Sequence, residues 1–480
     1  MNHGIKVIRV AIRGGRTDET SVSIPFFIGA APVQSADNPA AAGDVVLGTG
    51  FAQIVGRLGY SDDWEKYDLC EAMDTHFRLY RCQPAIFCNL LDPAKMVTTV
   101  AAADMPVVNG RVLLPLEAIN DGTLVVKPDA SSPALVRGTD YDAFYVAGGL
   151  AVEVLEDGAA VGDDTLNIAY KAVNPAGVTG TVVAAGMENI ENCLTVTGII
   201  PDLICAPGHS SDPNVAAAMA VKAENISNVF EAMSVVDISA AAGGALTPDA
   251  AVTKKDTGNV NSPYQIACWP MIGNRGKIYR MSTHLCGLMA QVDNGMHRKG
   301  ENAGIPYESP SNKPYVCDAV VLGDGSEVNM SLTDTEKLNE SGIVTALNFI
   351  NGITAWGNYT ASYPVNNEDI TEYFIPISRT FKWIGKSLIM RFWPKLDRPL
   401  TPMIASGIIN EANVWLNALS GSGALLGARA EILENENPVE NLMKGIIRVH
   451  FYATPPSPFQ LGEFILEYDA EYVAAAFAGA

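Results

Sequence analysis

"PDLICAPGHSSDPNVAAAMAVKAE", residues 201–224, decides how the chain is built. Leu203, Ile204 and Cys205 form a short apolar run, Pro207-Gly208 turns the chain, and Asp212-Pro213 is a helix N-cap followed by proline at the first helical position. Val215, Met219 and Ile226 then recur on one helical face. The stretch reads as buried strand, turn and helix, the repeating unit of an α/β sheet. It also gathers Cys205, His209, Ser210 and Asp212, the residue types of a nucleophilic site. A relay needs side chains that converge from different elements, and near neighbours on one chain rarely point at one another. The Gly-x-Ser-x-Gly spacing of a nucleophile elbow is absent around Ser210. Turn and cap account for these residues more economically than catalysis.

Outward from this stretch, composition sets the bounds. The 480 residues are 48% hydrophobic and 18% charged, enough to bury the cores of about two to four domains. Fifty-three acidic against thirty-two basic residues leave a net charge of −21, which opposes binding to nucleic acid or to an anionic membrane. Lys6, Arg9 and Arg13 interrupt the N-terminal stretch, and neither a signal peptide nor a membrane span is expected. The eight cysteines are scattered without a Cys-x-x-Cys pair, and the six histidines without a His-x-x-x-His pair. Reduced, buried thiols are expected, with no metal, no cofactor and no catalytic residue. "GSGALLG" at 421–427 follows a helical pattern and has the wrong glycine register for a dinucleotide fingerprint, so it reads as a turn.

The pattern divides the chain into six parts. Residues 1–20 hold a branched run, with Ile5, Val7, Ile8 and Val10, read as an N-terminal arm strand. Residues 21–92 begin an α/β core. Residues 93–186 lack histidine, cysteine and tryptophan, and alternate short β-like runs with "NG", "DG" and "GDD" turns, the texture of a β-rich inserted domain. Long surface hairpins on one domain are the other reading of that texture. Residues 187–341 continue the α/β core, and 342–458 form a C-terminal α/β section with helical stretches near 375–393 and 402–419. The proline-rich linker at 455–458 leads into 459–480, read as a C-terminal arm strand. There Phe464, Leu466 and Tyr468 alternate with Glu463, Glu467 and Asp469, and Ile465 lies between.

The stretch 378–398 carries six basic residues against one aspartate, a local net of +5 in an acidic chain. At 100° per residue, Arg379, Lys382 and Lys386 share the face opposite Ile377, Phe381, Ile384, Leu388 and Phe392. A solvated charged face is the plain reading.

The order of these motifs resembles the contractile tail sheath proteins of phages and related injection systems. The resemblance spans "SIPFFIGAAP" (23–32), the β-rich insertion, the opening stretch, "LNESGIVTALNFINGITAWGNYTAS" (338–362) and the run from Arg391 to Asp469. The family's glycine-rich Trp-Gly-x-Arg-Thr appears as Trp356-Gly357-Asn358-Tyr359-Thr360, with tyrosine in place of arginine. The resemblance implies an α+β or α/β multidomain fold: a mixed-sheet core, a β-rich insert facing outward, and extended terminal strand arms donated to neighbouring subunits. It implies a non-enzymatic homo-oligomer of hexameric rings stacked helically around an inner tail tube protein. Baseplate and tail terminator proteins are the further implied partners, and contraction drives the tube through a target envelope. The implied location is the virion tail or an extracellular particle, assembled in the bacterial host cytoplasm. Arg379, Lys382 and Lys386 are then candidates for touching the inner tube. Two other readings stand beside it: an α/β enzyme with a strand-end site at "APGHSSD", and another lattice protein of capsid or surface-layer type.

Overall fold

Short apolar runs bounded by turn residues become the strands, and the computed structural model describes residues 22–295 and 304–478. The expected N-terminal arm, with Ile5, Val7, Ile8 and Val10, lies outside the described residues. The described chain enters at β1 (Pro25–Gly29) and passes β2 (Val45–Gly48), α1 (Phe51–Leu58) and α2 (Asp68–Met73). A π-helical turn (Asp74–Leu79) prolongs α2 and leads into β3 (Ala85–Asn89). Six strands follow: β4 (Val97–Pro106), β5 (Arg111–Leu114), β6 (Val125–Lys127), β7 (Tyr141–Val146), β8 (Gly149–Val154) and β9 (Thr165–Val173). Alternation of helix and strand then resumes with α3 (Gly180–Gly186), α4 (Cys193–Thr197), β10 (Leu203–Cys205), α5 (Pro213–Glu224), β11 (Met233–Asp237), α6 (Pro248–Thr257) and β12 (Gln265–Cys268). After these come β13 (Met271–Asn274), β14 (Lys277–Arg280), α7 (Met281–Asp293), β15 (Ala319–Val321), α8 (Leu332–Glu340), β16 (Ile343–Phe349) and β17 (Gly352–Trp356). The last section holds α9 (Ile370–Tyr373), α10 (Ile375–Phe392), α11 (Pro402–Gly421), β18 (Gly427–Glu431), α12 (Val439–Met443), β19 (His450–Thr454) and α13 (Glu471–Phe477).

The main sheet has the order β17-β16-β12-β11-β10-β1-β3-β2. Its six central strands are parallel, and β2 and β17 run antiparallel at the two edges, so the sheet is mixed. In register, Phe27 lies between Cys205 and Phe87. Helices cover both faces, which is why β1, β3, β10 and β12 are buried at every residue and read as unbroken apolar runs instead of alternating ones. The opening stretch folds as read: Leu203–Cys205 is a buried strand, and α5 starts at Pro213 with Asp212 as its N-cap. Two histidines are fully enclosed by this core. His76 packs against Phe27 and Phe77, and His284 against Tyr80, Tyr279 and Tyr315. Burial pushes His76 down to about 4 and His284 down to about 3, so both are neutral at physiological pH.

Between β3 and α3, residues 97–173 form two three-stranded antiparallel sheets, β4-β9-β6 and β5-β8-β7. They enclose an apolar cluster of their own that includes Val112, Leu114, Val126, Leu150, Val152 and Ile168. The long β4–β9 ladder begins at Val97↔Val173, so the chain enters and leaves this unit on paired neighbours.

In the last section, α10 and α11 pack with the antiparallel pair β18–β19. Their cluster joins Trp383, Ile384, Ala412 and Leu416 with Val22, the first described residue. Beyond β19, residues 455–469 carry no strand in the subunit, whereas a strand is expected there from alternation. The short helix α13 that follows is not anticipated from the sequence.

Candidate functional site

The first place to look for chemistry is the switch point of the sheet, between β1 and β10. There the strand order reverses, and open α/β sheets hold ligands beyond the carboxyl ends of such strands. In this protein side chains fill that position. Asp68, at the start of α2, sits so close over Gly29 that a Cβ there would fall 1.9 Å from Asp68 Oδ1. The same oxygen accepts the Ala30 amide at 2.8 Å, while Oδ2 meets His209 Nε2 at 2.8 Å. Ser210 answers to a different carboxylate: its hydroxyl donates to Asp237 Oδ2 at 3.1 Å and accepts the Asp237 amide at 3.0 Å. Ser282 donates to Asp237 through both its amide, at 2.9 Å, and its hydroxyl, at 2.5 Å. Cys205 is buried beside Ser282, and desolvation drives its thiol well above the usual range. Asp212 accepts the Asn214 amide at 2.8 Å as a helix cap.

His209 and Ser210 are therefore sequence neighbours held by two separate acids, and Cys205 is a protonated thiol with no base assigned to it. The arrangement ties β10, β11, α2 and α7 together and offers no nucleophile–base pair. Among the described residues no group of three or more His, Cys, Asp or Glu side chains is disposed to hold a metal ion. Asp68 and Asp237, the two anchors, are missed by a search for motifs. The available signal was a single acidic residue closing the apolar strand "MSVVD" at Asp237.

The basic helix differs from its reading. Helical periodicity places Arg379, Lys382 and Lys386 opposite the apolar stripe, and the structure turns that side inward. Arg379 is paired with Asp293 and Lys386 with Asp202; these two cationic side chains are only 4% and 5% exposed. Lys382 lies over the Tyr264 ring at 4.4 Å, and burial lowers its amine to about 8. The solvated-face reading is corrected. Both head groups are enclosed by the subunit. The error has a physical source: the wheel sees one helix, and the acids that receive these cations come from remote parts of the chain.

The surface that lacks partners lies at the C-terminal end. Phe464, Ile465, Leu466 and Tyr468 are 87%, 84%, 97% and 83% exposed, and Phe459, Leu461, Tyr472 and Phe477 are likewise open to solvent. One side-chain hydrogen bond, from Asn358 Nδ2 to Gln460 Oε1 at 3.2 Å, holds the base of this segment. Nearby in sequence, β18 pairs with β19 from Gly427↔Thr454 to Glu431↔His450, and within the described residues neither strand has a second neighbour. A two-stranded sheet with open edges is marginal by itself and templates the addition of further strands. An apolar extended segment and an open sheet edge on the same chain are complementary.

No family model matches the chain. The chain is similar to the tail sheath protein of Burkholderia phage BcepMu, with 25% identity over 497 residues, covering 98% of this chain and 97% of that one. Among solved structures, the PVC sheath complex of an extracellular contractile injection system in the contracted state superposes with a TM-score of 0.55 at 11% identity, covering 98% of this chain and 100% of that one. The sheath tail protein from Desulfitobacterium hafniense superposes with a TM-score of 0.54 at 11% identity, covering 95% and 98%. The fold is that of contractile sheath proteins, and the resemblance to their family holds over nearly the whole chain.

Proposed function

We propose that this chain is the structural subunit of a contractile tail sheath, polymerising as stacked hexameric rings around an inner tube and contracting to drive that tube through a target cell envelope. It is a structural protein and not an enzyme, in keeping with its sheath relatives. The observation that carries the reading is the apolar segment 459–468, left open to solvent beside a two-stranded sheet with unpaired edges. Main-chain hydrogen bonding of that segment to the sheet of a neighbouring subunit satisfies both at once. The stretch 1–20, with Ile5, Val7, Ile8 and Val10, is the second donated arm in this reading.

The division of labour follows. The mixed sheet of 21–92 and 187–341 is the rigid body, 342–458 with β18–β19 is the inner section that receives arms, and 93–186 projects outward. Baseplate and terminator proteins cap the polymer, which belongs to a virion tail or an extracellular particle after assembly in the host cytoplasm. Energy for contraction resides in the extended lattice and is released as interfaces repack, with no nucleotide turnover. The filled switch point removes the support for an enzyme. Negative-stain electron microscopy of the expressed protein tests the reading: tubes of stacked rings are expected. Flat sheets or closed shells would move the chain to another class of lattice protein.

A further inference from the structure

The unit between β3 and α3 presents an edge that the subunit leaves open. β4 is ten residues long, pairs with β9, and has no second neighbour among the described residues. Thr98, Thr99, the run from Ala101 to Asp104 and Pro106 are exposed. The ends of the ladder fix which backbone groups face outward. The Asn174 amide donates to the Met96 carbonyl at 2.8 Å, and the Val107 amide donates to the Asp164 carbonyl at 2.9 Å. Bonding and non-bonding positions alternate along an antiparallel ladder, so Thr98 and Val100, then Ala103 and Met105, direct their backbone groups at β9. Val97 and Thr99, then Asp104 and Pro106, direct theirs away from it. The bulge at Ala101 and Ala102 causes the change of parity. On β9 the residues opposite the first outward pair, Val173 and Lys171, likewise turn their backbone groups away from β4, to Glu117 and Ile119.

A row of outward amides and carbonyls takes a strand as its partner, and β4 matches a second copy of itself. Laid antiparallel about a two-fold axis between Ala101 and Ala102, Thr99 faces Asp104 and Val97 faces Pro106, so outward groups meet outward groups along the whole edge. Pro106 has no amide to donate, but at the last position its absence leaves both Thr99–Asp104 pairs intact. Bulge and proline are devices that protect an edge. Here they fall on the axis and at the end, where neither obstructs pairing. Charge selects the same strip. Residues 97–173 hold 11 acidic residues against 4 basic ones, yet within β4 the sole charge is Asp104, which accepts Asn167 Nδ2 at 2.7 Å. β4 is thus a nearly neutral line along which two acidic copies can approach, and in this register each Asp104 lies opposite a threonine instead of the other carboxylate.

We propose that β4 is a homotypic contact: two copies of the chain join edge to edge through it, in the register that sets Thr99 against Asp104, and the sheet β4-β9-β6 continues across the axis. A strand of ten residues is about 33 Å long. One edge of that length covers less than the roughly 800 Å2 per partner of a stable interface. The contact is therefore weak between free chains and gains strength where copies are already held side by side. It does not depend on the sheath reading.

Cysteine cross-linking of the full chain tests both the contact and its register. Thr99→Cys and Asp104→Cys place thiols at exposed positions. Facing residues of a hydrogen-bonded pair have Cα atoms about 5.5 Å apart, inside the disulfide range. The two variants are mixed and treated with copper–phenanthroline; two thiols lose two protons and two electrons, and the electrons pass to Cu(II). A dimer joined through positions 99 and 104, identified by mass spectrometry, is expected. The parent's own thiols set the background. Each variant alone is expected to give at least about tenfold less, because in this register position 99 lies some five residues, about 17 Å, from position 99 of the other copy. Adding Ala102→Lys to both chains sets like charges beside the axis and is expected to lower the yield about tenfold. Should the first pair of variants fail to fold, Val97→Cys mixed with Pro106→Cys reads the same register. Mixtures that cross-link no better than single variants overturn the proposal, as they would if any other strand occupied the edge. Oxidation is carried out on the unpolymerised fraction, so failure of the chain to form tubes sinks the sheath reading and leaves this result standing.

Discussion

Removing residues 461–480 separates the subunit's own stability from its capacity to polymerise. Phe464, Ile465, Leu466 and Tyr468 are 87%, 84%, 97% and 83% exposed, so together they bury about half of one side chain's worth of surface within the subunit. At about 1.5–3 kcal/mol for a fully buried large apolar side chain, loss of these four costs the isolated fold roughly 1 kcal/mol. For a chain of 480 residues that corresponds to no more than about 2 °C in melting temperature. The same four side chains, if seated against a neighbour, contribute roughly 6–12 kcal/mol of gross apolar burial, before the cost of ordering the segment. The truncated chain retains Gln460 and its bond from Asn358, so the base of the segment stays in place. Circular dichroism should show an unchanged fold and melting point. Sedimentation velocity should show monomer where the parent forms large particles. A truncated protein that cannot fold would show that the segment belongs to its own subunit, and truncated protein that forms tubes like the parent's would end the donated-arm argument.

Three further outcomes are expected. Asp212→Ala removes the acceptor of the Asn214 amide and should cost about 1 kcal/mol in urea unfolding while assembly persists; an unchanged midpoint would mean the cap contributes nothing. Lys386→Glu places a carboxylate against Asp202 in an enclosed site and should destabilise by about 3–5 kcal/mol; a loss within about 0.5 kcal/mol, as for an exposed charge, would return Lys386 to the surface. Acid should also weaken the fold through its buried histidines. His76 is held down to about 4 against an unfolded value of about 6.5, so the unfolded chain takes up the proton first. Its contribution is intact above about pH 6.5 and is lost as pH falls toward 4, a loss of about 3 kcal/mol. Buried Glu71 and Asp293, whose carboxyls are raised by desolvation, act in the opposite sense. The slope of stability against pH between 6.5 and 4 should flatten in His76→Leu; an unaltered slope would acquit the histidine.

Local rules read the parts of this fold that local forces determine. Asp212-Pro213 marks the start of α5 because a cap and a preset φ act within one turn, and the helical stretches near 375–393 and 402–419 return as Ile375–Phe392 and Pro402–Gly421. The turn-rich alternation of 93–186 foretells antiparallel strands for the same reason. What the sequence conceals is the identity of second partners. Arg379 meets Asp293 across 86 residues and Lys386 meets Asp202 across 184, so periodicity finds the basic stripe and misjudges its direction. In the candidate site, Cys205, His209 and Ser210 were visible as residue types, but the acids that hold the last two come from α2 and β11. The C-terminal strand shows the opposite case. Its alternation is legible at Phe464, Leu466 and Tyr468, yet an edge partner is what turns such a pattern into a strand, and the subunit supplies none in the described residues.

The pairing of Val97 with Val173 has a consequence of another kind. A segment whose two ends leave the parent fold side by side behaves like an appliance on a socket: whatever is attached, the wiring behind the wall is unchanged. Seventy-odd residues with their own apolar interior can be lengthened, exchanged or cut back to a tight turn while β3 and α3 keep their positions, because loop-closure cost depends on the distance between the ends and only weakly on what lies between them. Selection can therefore rewrite this unit without touching the sheet it is attached to, and an engineer can graft an enzyme or an epitope at the same two valines.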